Sequence, residues 1–330
     1  MTDTLGIGII GTGDIAQSHL RALAGVDAAR VVVTMDVDET RARAGAEEYG
    51  GRATTSLEEL LGEEEVQAVH VCTPHHLHAD QVVAAFEAGK HVLVEKPMAL
   101  TLGDCDRMIA AADSAGKVLM VGQVLRHFPA NRKVRELIEA GAIGAVGHLI
   151  RRRYSYFDVT GQARSWYMDR EAGGNAVLMA FGTHEYDILP WYLQSPVVKV
   201  YSQAAQTSPL YEGQSDFFGS VLNHANGAVS VVTQSVVCRG GAGDQVIVGS
   251  EGTLQVNNKE VALNGEDVEV EGDTSLGMPN QVREFVTCCL EGGTPDANGR
   301  SVRHSMAILT AVALSAERGE PVDLDELDGR

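Results

Sequence analysis

The sequence predicts an α/β protein in which a doubly wound parallel sheet is followed by a second α/β domain with a large, mostly antiparallel open sheet. Short apolar strands alternate with helical segments as far as residue 122. A glycine-rich turn joins the first strand to the first helix. After Gly122 the rhythm changes to long alternating or aromatic runs, which are typical of antiparallel strands. We therefore expect two domains, residues 1–122 and 123–330.

The first strand and the turn after it have the pattern of a dinucleotide-binding fingerprint. The apolar run from Leu5 to Ile10 is followed by Gly11-Thr12-Gly13-Asp14-Ile15-Ala16. Gly11 permits the tight turn, and Gly13 lets the main chain approach a pyrophosphate. Asp14 and Ile15 open a helix whose N-terminus would face the phosphates. The sequence therefore predicts a nucleotide site at this turn.

Asp36 completes the fingerprint and indicates which cofactor is preferred. It ends the next apolar strand, about twenty residues beyond the last glycine, as a Rossmann fingerprint requires. Its carboxylate would accept hydrogen bonds from the adenosine ribose and repel a 2′-phosphate, so NAD is expected over NADP. Arg41 or Arg43 could weaken this argument by receiving the phosphate. The alternative is an aspartate that only caps a helix or turn.

The remaining elements of the first domain follow in regular order. Strands are expected at 66–72, 91–94 and 117–121, and helices at 79–88 and 102–115. In the second domain, strands are expected at 149–157, 197–205, 217–223, 229–237, 245–248 and 253–256, with a hairpin turn at Asn226-Gly227. Helices are expected at 131–139, 183–193, 280–290 and 303–318, the last three packed on one face of the second sheet.

The strand at residues 91–94 leads directly into Glu95-Lys96-Pro97. A proline stops the strand, so Lys96 is expected at the carboxyl edge of the sheet, where open α/β folds bind ligands. The alternative is a surface lysine in a turn. The fingerprint upstream favours a functional lysine and, with it, a nicotinamide-dependent oxidoreductase.

Composition excludes several classes of partner. The formal charge of -19 argues against nucleic acid and anionic membranes. No run is long enough to span a bilayer, and the first residues lack the basic region of a signal peptide, so a cytoplasmic location is expected. The five cysteines have no metal-type spacing and are expected to be reduced and mostly buried.

Several motifs, in this order, resemble one known family. They are the Gly11 fingerprint, Cys72-Thr73-Pro74 with His78, Glu95-Lys96-Pro97, Arg126 with Pro129, and Gly173-Gly174 ahead of Gly182-Thr183-His184 and Asp187. The chain is similar over nearly its whole length to the glucose-fructose oxidoreductase, inositol dehydrogenase and rhizopine catabolism family, Gfo/Idh/MocA. The resemblance implies an N-terminal NAD-binding Rossmann domain and a C-terminal domain for substrate binding and oligomerisation. It also implies a homodimer or homotetramer that pairs through the second sheet, because an exposed apolar face must be covered.

The resemblance assigns Lys96 and His184 as the catalytic residues. Lys96 would hold positive charge beside the reacting oxygen and stabilise developing alkoxide. The imidazole of His184 titrates near neutrality, so it would take the hydroxyl proton during oxidation and return it during reduction. The alternative for His184 is a histidine that only packs at the start of its helix.

The resemblance also implies further site residues. The loop of Thr73, Pro74, His75 and His78 would line the nicotinamide side of the cofactor, and Glu95 and Lys96 belong to the same cofactor-binding set. His75 stands where asparagine is more usual. The three nearby imidazoles invite a metal hypothesis, but no acidic or cysteine partner lies at a zinc-like spacing, so no metal is expected.

Arg126, Trp166 and Asp187 are candidate substrate-binding residues, although Asp187 could equally be structural. Many sugar and inositol dehydrogenases of the family carry an aspartate or asparagine where this chain has Ala180, four residues before His184. Asp187, one helical turn after His184, could orient the histidine instead. Otherwise the substrate differs from the usual polyols, or the chain is a weak catalyst.

The expected function is an NAD-dependent oxidoreductase that transfers a hydride between nicotinamide and a sugar, polyol or cyclitol hydroxyl or carbonyl. Two alternatives remain open at this point. One is an NAD-binding regulatory protein with little turnover, which Ala180 keeps open. The other is a glycosidase-like enzyme of the same fold that uses transient NAD-driven oxidation to cleave a glycosidic bond. Fold alone does not decide among them.

Overall fold

A computed structural model describes residues 4–161, 165–257, 260–273 and 275–327. The chain divides into two compact units. The first contains the residues up to Val124 together with Leu276–Arg303, and the second contains Leu125–Ser275 and the residues from His304 onward. Among the described residues, no helix combines the length and the apolar character that a membrane span needs.

The described helices follow the predicted order closely. They are α1 (Asp14–Leu23), α2 (Glu39–Tyr49), α3 (Leu57–Leu61), α4 (His78–Glu87), α5 (Leu102–Ala115), α6 (Pro129–Glu139), α7 (Thr183–Leu193), α8 (Gly277–Glu291) and α9 (Gly299–Arg318). The ends of α5 show why the boundary was predictable. Thr101 accepts a hydrogen bond from the Asp104 main chain at the N-terminus, and Gly116 adopts the left-handed conformation at the C-terminus.

The first unit is built on a six-stranded sheet with the order β3-β2-β1-β4-β5-β6, parallel throughout. Its strands are β1 (Leu5–Ile10), β2 (Ala29–Met35), β3 (Arg52–Thr54), β4 (Ala68–Val71), β5 (His91–Val94) and β6 (Leu119–Val121). Every residue of β1 is buried, as expected for a central strand covered on both faces. The predicted doubly wound parallel sheet is confirmed.

Helix α8 belongs to the first unit. Its residues Val282, Phe285 and Val286 share a hydrophobic core with Leu20 and Leu23 of α1. The expected packing of this helix on the second sheet is therefore wrong, because an apolar helix face indicates burial without indicating which surface buries it. Residues 276–303 accordingly extend the first unit beyond the continuous segment 1–122 expected from sequence.

The second unit is built on a nine-stranded sheet with the order β14-β13-β12-β11-β7-β10-β9-β8-β15. Its strands are β7 (Val146–Tyr156), β8 (Val197–Ala205), β9 (Phe217–His224), β10 (Val229–Ser235), β11 (Val237–Gly249), β12 (Thr253–Asn257), β13 (Glu260–Leu263), β14 (Glu266–Val268) and β15 (Val322–Asp323). Every pairing is antiparallel except β7 with β10. The predicted large, mostly antiparallel sheet is confirmed, and the turn at Asn226-Gly227 joins β9 to β10.

The two faces of the second sheet differ. Leu149, Val200, Leu222 and Ile247 are fully buried on one face. The opposite face carries a row of cross-strand neighbours in which Tyr201 pairs with Val221, Val221 with Val231, Val231 with Ile150 and Ile150 with Val246. Ile150 is 51% exposed, and Tyr201 and Val221 are also exposed. Within the second unit, this face presents apolar side chains to the surface.

Candidate functional site

The glycine turn lies at the topological switch point of the first sheet, where β1 is flanked by β2 and β4. Gly11 has a φ of 82°, in the left-handed region that favours glycine. A Cβ added there would lie 2.9 Å from the Thr73 side chain and 3.0 Å from the Cys72 carbonyl oxygen. A side chain at residue 11 would therefore separate the loops after β1 and β4.

Gly13 has different surroundings. It precedes α1, and no side chain caps the N-terminus of that helix. A Cβ at Gly13 would meet no atom of the described protein within 4 Å. Packing inside the protein therefore does not explain why this residue is glycine. Asp14 and Ile15, the first residues of α1, are exposed beside it.

Asp36 is buried at the end of β2 and held by the glycine turn. Its Oδ2 accepts hydrogen bonds from the Thr12 main-chain N–H at 2.9 Å and from the Thr12 hydroxyl at 3.2 Å. Its Oδ1 accepts from the Asp38 main-chain N–H at 2.9 Å. The carboxylate therefore has a fixed orientation, whereas the neighbouring Val37 is 86% exposed.

The two arginines that could receive a 2′-phosphate both interact with acidic residues. Arg41 bonds Asp38 at 3.3 Å, and Arg43 bonds Glu39 through its Nε at 3.0 Å. All four side chains are well exposed, so these ion pairs contribute little to stability. They nevertheless give each guanidinium a carboxylate partner on its own helix.

The loop after β4 contains one exposed and two buried histidines. Thr73 and Pro74 are half-buried, and the Thr73 hydroxyl donates to Gln81 Oε1 at 2.6 Å. His75 is buried with its ring 5.9 Å from that of His78. His76 is exposed.

His78 bridges two loops of the first unit. It is fully buried, with Nδ1 2.8 Å from the Pro97 carbonyl oxygen and Nε2 2.9 Å from the Thr73 carbonyl oxygen. Burial lowers the pKa of His78 even though both carbonyl groups favour its charged form. This position favours a role in holding the loops together, whereas direct contact with the cofactor was the expectation.

Lys96 lies at the carboxyl end of β5, as predicted. It is half-buried and precedes a cis peptide bond to Pro97. The preceding Glu95 is buried, and its Oε2 accepts the Lys96 main-chain N–H at 3.1 Å. Glu95 therefore orients the main chain at Lys96, and its cofactor-binding role stays a prediction.

His184 is half-buried at the start of α7. A single π-helical turn, Leu178–Gly182, precedes it and contains Ala180, which is 3% exposed. Such turns occur frequently at functional sites. His184 directly precedes the buried Glu185 and lies three residues before the buried Asp187.

Asp187 forms a buried ion pair with Arg126. The Arg126 Nε donates to Asp187 Oδ2 at 2.7 Å, and a second guanidinium nitrogen donates to Oδ1. Ser305 of α9 donates to the same Oδ1 at 2.6 Å. Both carboxylate oxygens are thus occupied, and the two side chains are almost fully buried. The position of this ion pair favours a role in anchoring α7. The substrate-binding role of Arg126 and Asp187 stays a prediction, as does the orientation of His184 by Asp187.

Glu185 anchors the opposite side of α7 to the second sheet. Its carboxylate pairs with Arg151 and Arg153 of β7. Arg151 also donates to Gln245 Oε1 at 2.6 Å. Two buried acidic residues therefore fix the helix that carries His184 within the second unit.

Trp166, the remaining predicted substrate-binding residue, is part of an aromatic cluster. Its ring stacks on Tyr167 at 3.9 Å between centroids. Tyr167 meets Phe157, and Phe157 meets Phe181 at 4.9 Å, three residues before His184. Trp166 is half-buried. The cluster connects Trp166 to the π-helical turn.

The structure adds residues that the sequence analysis missed. The fully buried His19 lies between Glu95 and His70, which is also fully buried, and Ser305 contacts Asp187. The only local signs of their importance were that His70 is a polar residue within an apolar strand and that His19 lies on the apolar side of α1. Across the described ranges, no three His, Cys, Asp or Glu side chains are placed to hold a metal ion.

Comparison with known proteins identifies the family. Residues 5–123 match the model described as "Oxidoreductase family, NAD-binding Rossmann fold", and residues 131–255 match the GFO/IDH/MocA C-terminal domain. The chain therefore belongs to the Gfo/Idh/MocA family of NAD-dependent oxidoreductases, as the sequence motifs predicted.

Individual relatives agree with this classification. The chain is 29% identical over 328 residues to 1,5-anhydro-D-fructose reductase of Ensifer adhaerens, covering 96% of this chain and 98% of that protein. It is 33% identical over 259 residues to inositol 2-dehydrogenase 3 of Saccharopolyspora erythraea, covering 77% and 73%. The crystal structure of an oxidoreductase domain protein from Kribbella flavida matches with a TM-score of 0.89 at 25% identity, covering 98% and 99%.

Proposed function

We propose that this chain prefers NAD and interconverts a hydroxyl and a carbonyl group of a sugar, polyol or cyclitol. The observation that carries this proposal is the glycine turn with Asp36 fixed beside it at the switch point of the first sheet. The substrate class is supported by the relatives, one named for reducing 1,5-anhydro-D-fructose and another for dehydrogenating inositol.

The residues of the first unit fit a dinucleotide. Gly13 has no packing reason to be glycine, which is expected where a phosphate must approach the main chain. The first N–H groups of α1, around Asp14 and Ile15, lack a side-chain cap and suit the pyrophosphate. Gly11 keeps the loops close, and Thr73, Pro74 and His75 supply the loop for the nicotinamide side.

The preference for NAD over NADP is supported by Asp36. Its carboxylate is fixed by Thr12 and Asp38 and can accept the ribose hydroxyls, while a 2′-phosphate would bring like charges together. Arg41 and Arg43 are paired with Asp38 and Glu39 and would have to leave those partners to neutralise the phosphate.

Lys96 and His184 have complementary roles in the proposed chemistry. The cofactor, when bound, accepts or supplies the hydride. Lys96 provides a cation beside the substrate oxygen and stabilises the charge that develops there. His184 removes the hydroxyl proton in the oxidative direction and returns it in the reductive direction. Glu185 and Asp187 hold α7 so that the imidazole keeps one position.

Ala180 is the main feature expected to set this chain apart in substrate choice. Its methyl group cannot bond His184 or a substrate hydroxyl, so the pocket lacks one polar group that related dehydrogenases use. A missing hydrogen-bonding group changes discrimination strongly, because a substrate hydroxyl would be left unpaired there. We therefore expect a preference that differs from that of inositol dehydrogenases.

The test is a substrate screen with purified protein, NAD and a panel of sugars, polyols and glycosides. Accumulation of the NADH absorbance band supports simple oxidation. Cleavage of a glycoside without net NADH would indicate oxidation followed by elimination instead. Binding of NAD and sugar without either product would indicate the regulatory alternative.

We further propose that the protein is a cytoplasmic homodimer or homotetramer with no nucleic-acid or membrane partner. The row Tyr201, Val221, Val231, Ile150 and Val246 would be covered by a second copy. Light scattering checks this: Ile150→Glu with Val221→Lys should shift the mass toward the monomer, and an unmodified protein that is monomeric at micromolar concentration would contradict it.

A further inference from the structure

Gln234 is a fully buried polar residue on β10, inside the second sheet. Along this strand the side chains of Ser230, Val232 and Gln234 are buried and alternate with half-buried ones, so the three share one face. Gln234 Nε2 donates to the Val177 main-chain carbonyl at 3.2 Å. Its Oε1 is buried and has no hydrogen-bond partner among the described residues. A buried acceptor without a partner costs free energy, so packing alone would favour an apolar residue at this position.

The carbonyl that Gln234 bonds lies at the entry of the π-helical turn. Val177 directly precedes this turn, in which the Thr183 main-chain N–H bonds the Leu178 carbonyl five residues earlier. Relaxation of a π-helical turn to an α-helix would rotate the residues on its two sides by about 100° relative to each other, the rotation of one helical residue. The π-helical turn therefore sets how Ala180 is oriented relative to His184.

Two neighbouring strands hold the two sides of the π-helical turn. After the turn, Glu185 pairs with Arg153 of β7 at 3.2 Å. Before the turn, the Val177 carbonyl is held by Gln234 of β10. Arg153 and Gln234 are direct partners in the pairing of β7 with β10. Because both attachments start from one position of a single strand pair, the two ends of the segment 177–185 are fixed relative to each other.

Gly182, the last residue of the π-helical turn, lies beside the same glutamine. A Cβ at Gly182 would be 3.2 Å from Gln234 Oε1 and 3.2 Å from Leu309 Cδ2 of α9. The unpaired oxygen of Gln234 is therefore close to the end of the turn, while the nitrogen of the same amide bonds the residue that precedes it. One side chain thus reaches both ends of the π-helical turn.

We propose that Gln234 is a positioning residue for His184 and acts by holding the π-helical turn through the Val177 carbonyl. Buried ion pairs hold α7 itself. Gln234 holds the chain that enters this helix and thereby keeps the imidazole in one orientation relative to Ala180. This inference rests on the proposed function only in treating His184 as a reacting residue.

The test compares Gln234→Met with the unmodified protein. Methionine keeps an unbranched side chain and removes both the donor and the unpaired acceptor. The His184 ring is followed by ¹H–¹³C NMR against pH without substrate, and its signal is assigned by its loss in His184→Ala. Gln234→Met should shift the His184 titration midpoint by roughly 0.5 pH unit or more, because the solvent and charges around the ring change. With substrate, kcat should fall roughly tenfold while KM changes less than about threefold, because a misplaced base slows proton transfer more than binding.

The matched control is Gln281→Met in α8. Gln281 is also fully buried, its Nε2 donates to Met278 Sδ at 3.5 Å, and its Oε1 has no partner within the described ranges. Gln281→Met should leave the His184 midpoint and kcat unchanged. A His184 midpoint in folded Gln234→Met that agrees with the unmodified protein to within roughly 0.2 pH unit overturns the proposal, whatever the effect on kcat. The proposed function fails separately, by absence of turnover with every substrate while the shift of the His184 midpoint persists.

A second variant and a second measurement complete the test. Gln234→Leu also lacks a donor and replaces Gln234→Met if that variant does not fold; failure of both to fold would make Gln234 a purely structural residue and overturn the proposal. Hydrogen exchange in the unmodified protein checks the contact itself. One side-chain amide proton of Gln234 should exchange roughly 100-fold more slowly than those of Gln203, whose side chain is exposed. Equal exchange rates for the two side chains would also overturn the proposal.

Discussion

Replacing Asp36 by asparagine is the sharpest perturbation of cofactor choice. Asparagine keeps the size of the side chain and an oxygen that can accept from the Thr12 main chain, where the present distance is 2.9 Å. It removes the charge that would face a 2′-phosphate. The amide group would face the Asp38 main-chain N–H, which now donates to Oδ1, so the change removes the charge together with one hydrogen bond inside the turn.

The expected magnitude follows from Coulomb's law. Two like unit charges about 5 Å apart at an effective dielectric constant of about 20 repel by about 3 kcal/mol. Removing this repulsion should raise the ratio of NADP to NAD affinity by roughly 150-fold. NAD should itself bind roughly tenfold more weakly, because neutral hydrogen bonds to the ribose replace charge-assisted ones.

Calorimetric titration with NAD and with NADP measures both the loss of NAD affinity and the change in the ratio of the two affinities. The control is Glu58→Gln, which changes an exposed carboxylate in the first turn of α3. It should alter the ratio far less, and both proteins should be compared at two salt concentrations. An unchanged ratio in Asp36→Asn, or equal affinities in the unmodified protein, would refute the reasoning.

Four further predictions concern the candidate site and the groups around it. Lys96→Ala and His184→Ala should each reduce kcat by roughly 100-fold or more while keeping NAD affinity within about threefold, measured by steady-state kinetics and calorimetry; near-normal kcat in either variant would remove its assigned role. Ala180→Asp should move the acidic limb of the pH profile of oxidation to higher pH, because it adds a negative charge near His184; Ala180→Asn is the neutral control. An unmoved limb, with fold and NAD affinity preserved, would mean that the alanine is part of a different substrate specificity. Arg126→Met should lower the free energy of unfolding by about 3 kcal/mol, because Asp187 loses its buried partner, and Ser305→Ala should lower it by about 1 kcal/mol. Urea titrations measure both values. Equal small losses would contradict the anchoring role of the Arg126–Asp187 pair. Lowering the pH from 7.5 to 5.5 should lower the free energy of unfolding by about 1 kcal/mol through His70, because the histidine takes up a proton in the unfolded protein and stays neutral in the folded one. His70→Val should lack this part of the loss. The same dependence of the unfolding free energy on pH in both proteins would contradict this prediction.

Local patterns made the first unit predictable. The glycine turn, the strand ending at Asp36 and the strand ending at Lys96 are each defined by residues close together in sequence, and the structure has β1, β2 and β5 where those patterns indicate. The boundaries of α5 and α7 agree with the predicted ones for the same reason. The short elements β3 and α3 were missed because three to five residues carry too little periodicity.

Contacts between distant segments were not predictable. Helix α8 packs against α1, which lies more than 250 residues earlier in the chain. The apolar face of α8 indicates that the helix is buried but does not indicate which element it packs against. His19 meets Glu95 across 76 residues, and Arg126 meets Asp187 across 61. From the sequence alone, each of these side chains was compatible with several roles, because its neighbour in the fold was not known. Arg126 was therefore interpreted as a pocket residue, whereas the structure has it in a buried ion pair with Asp187.

The most direct test of the account is the fate of a substrate hydrogen. Purified protein is incubated with NAD and carbon-deuterated polyols, including inositol, and the nicotinamide product is analysed by mass spectrometry. We expect NADH that carries a single deuterium on the nicotinamide ring, formed by the unmodified protein and nearly absent with Lys96→Ala or His184→Ala. Tight NAD binding with no deuterated NADH from any sugar, polyol or cyclitol tested would contradict it.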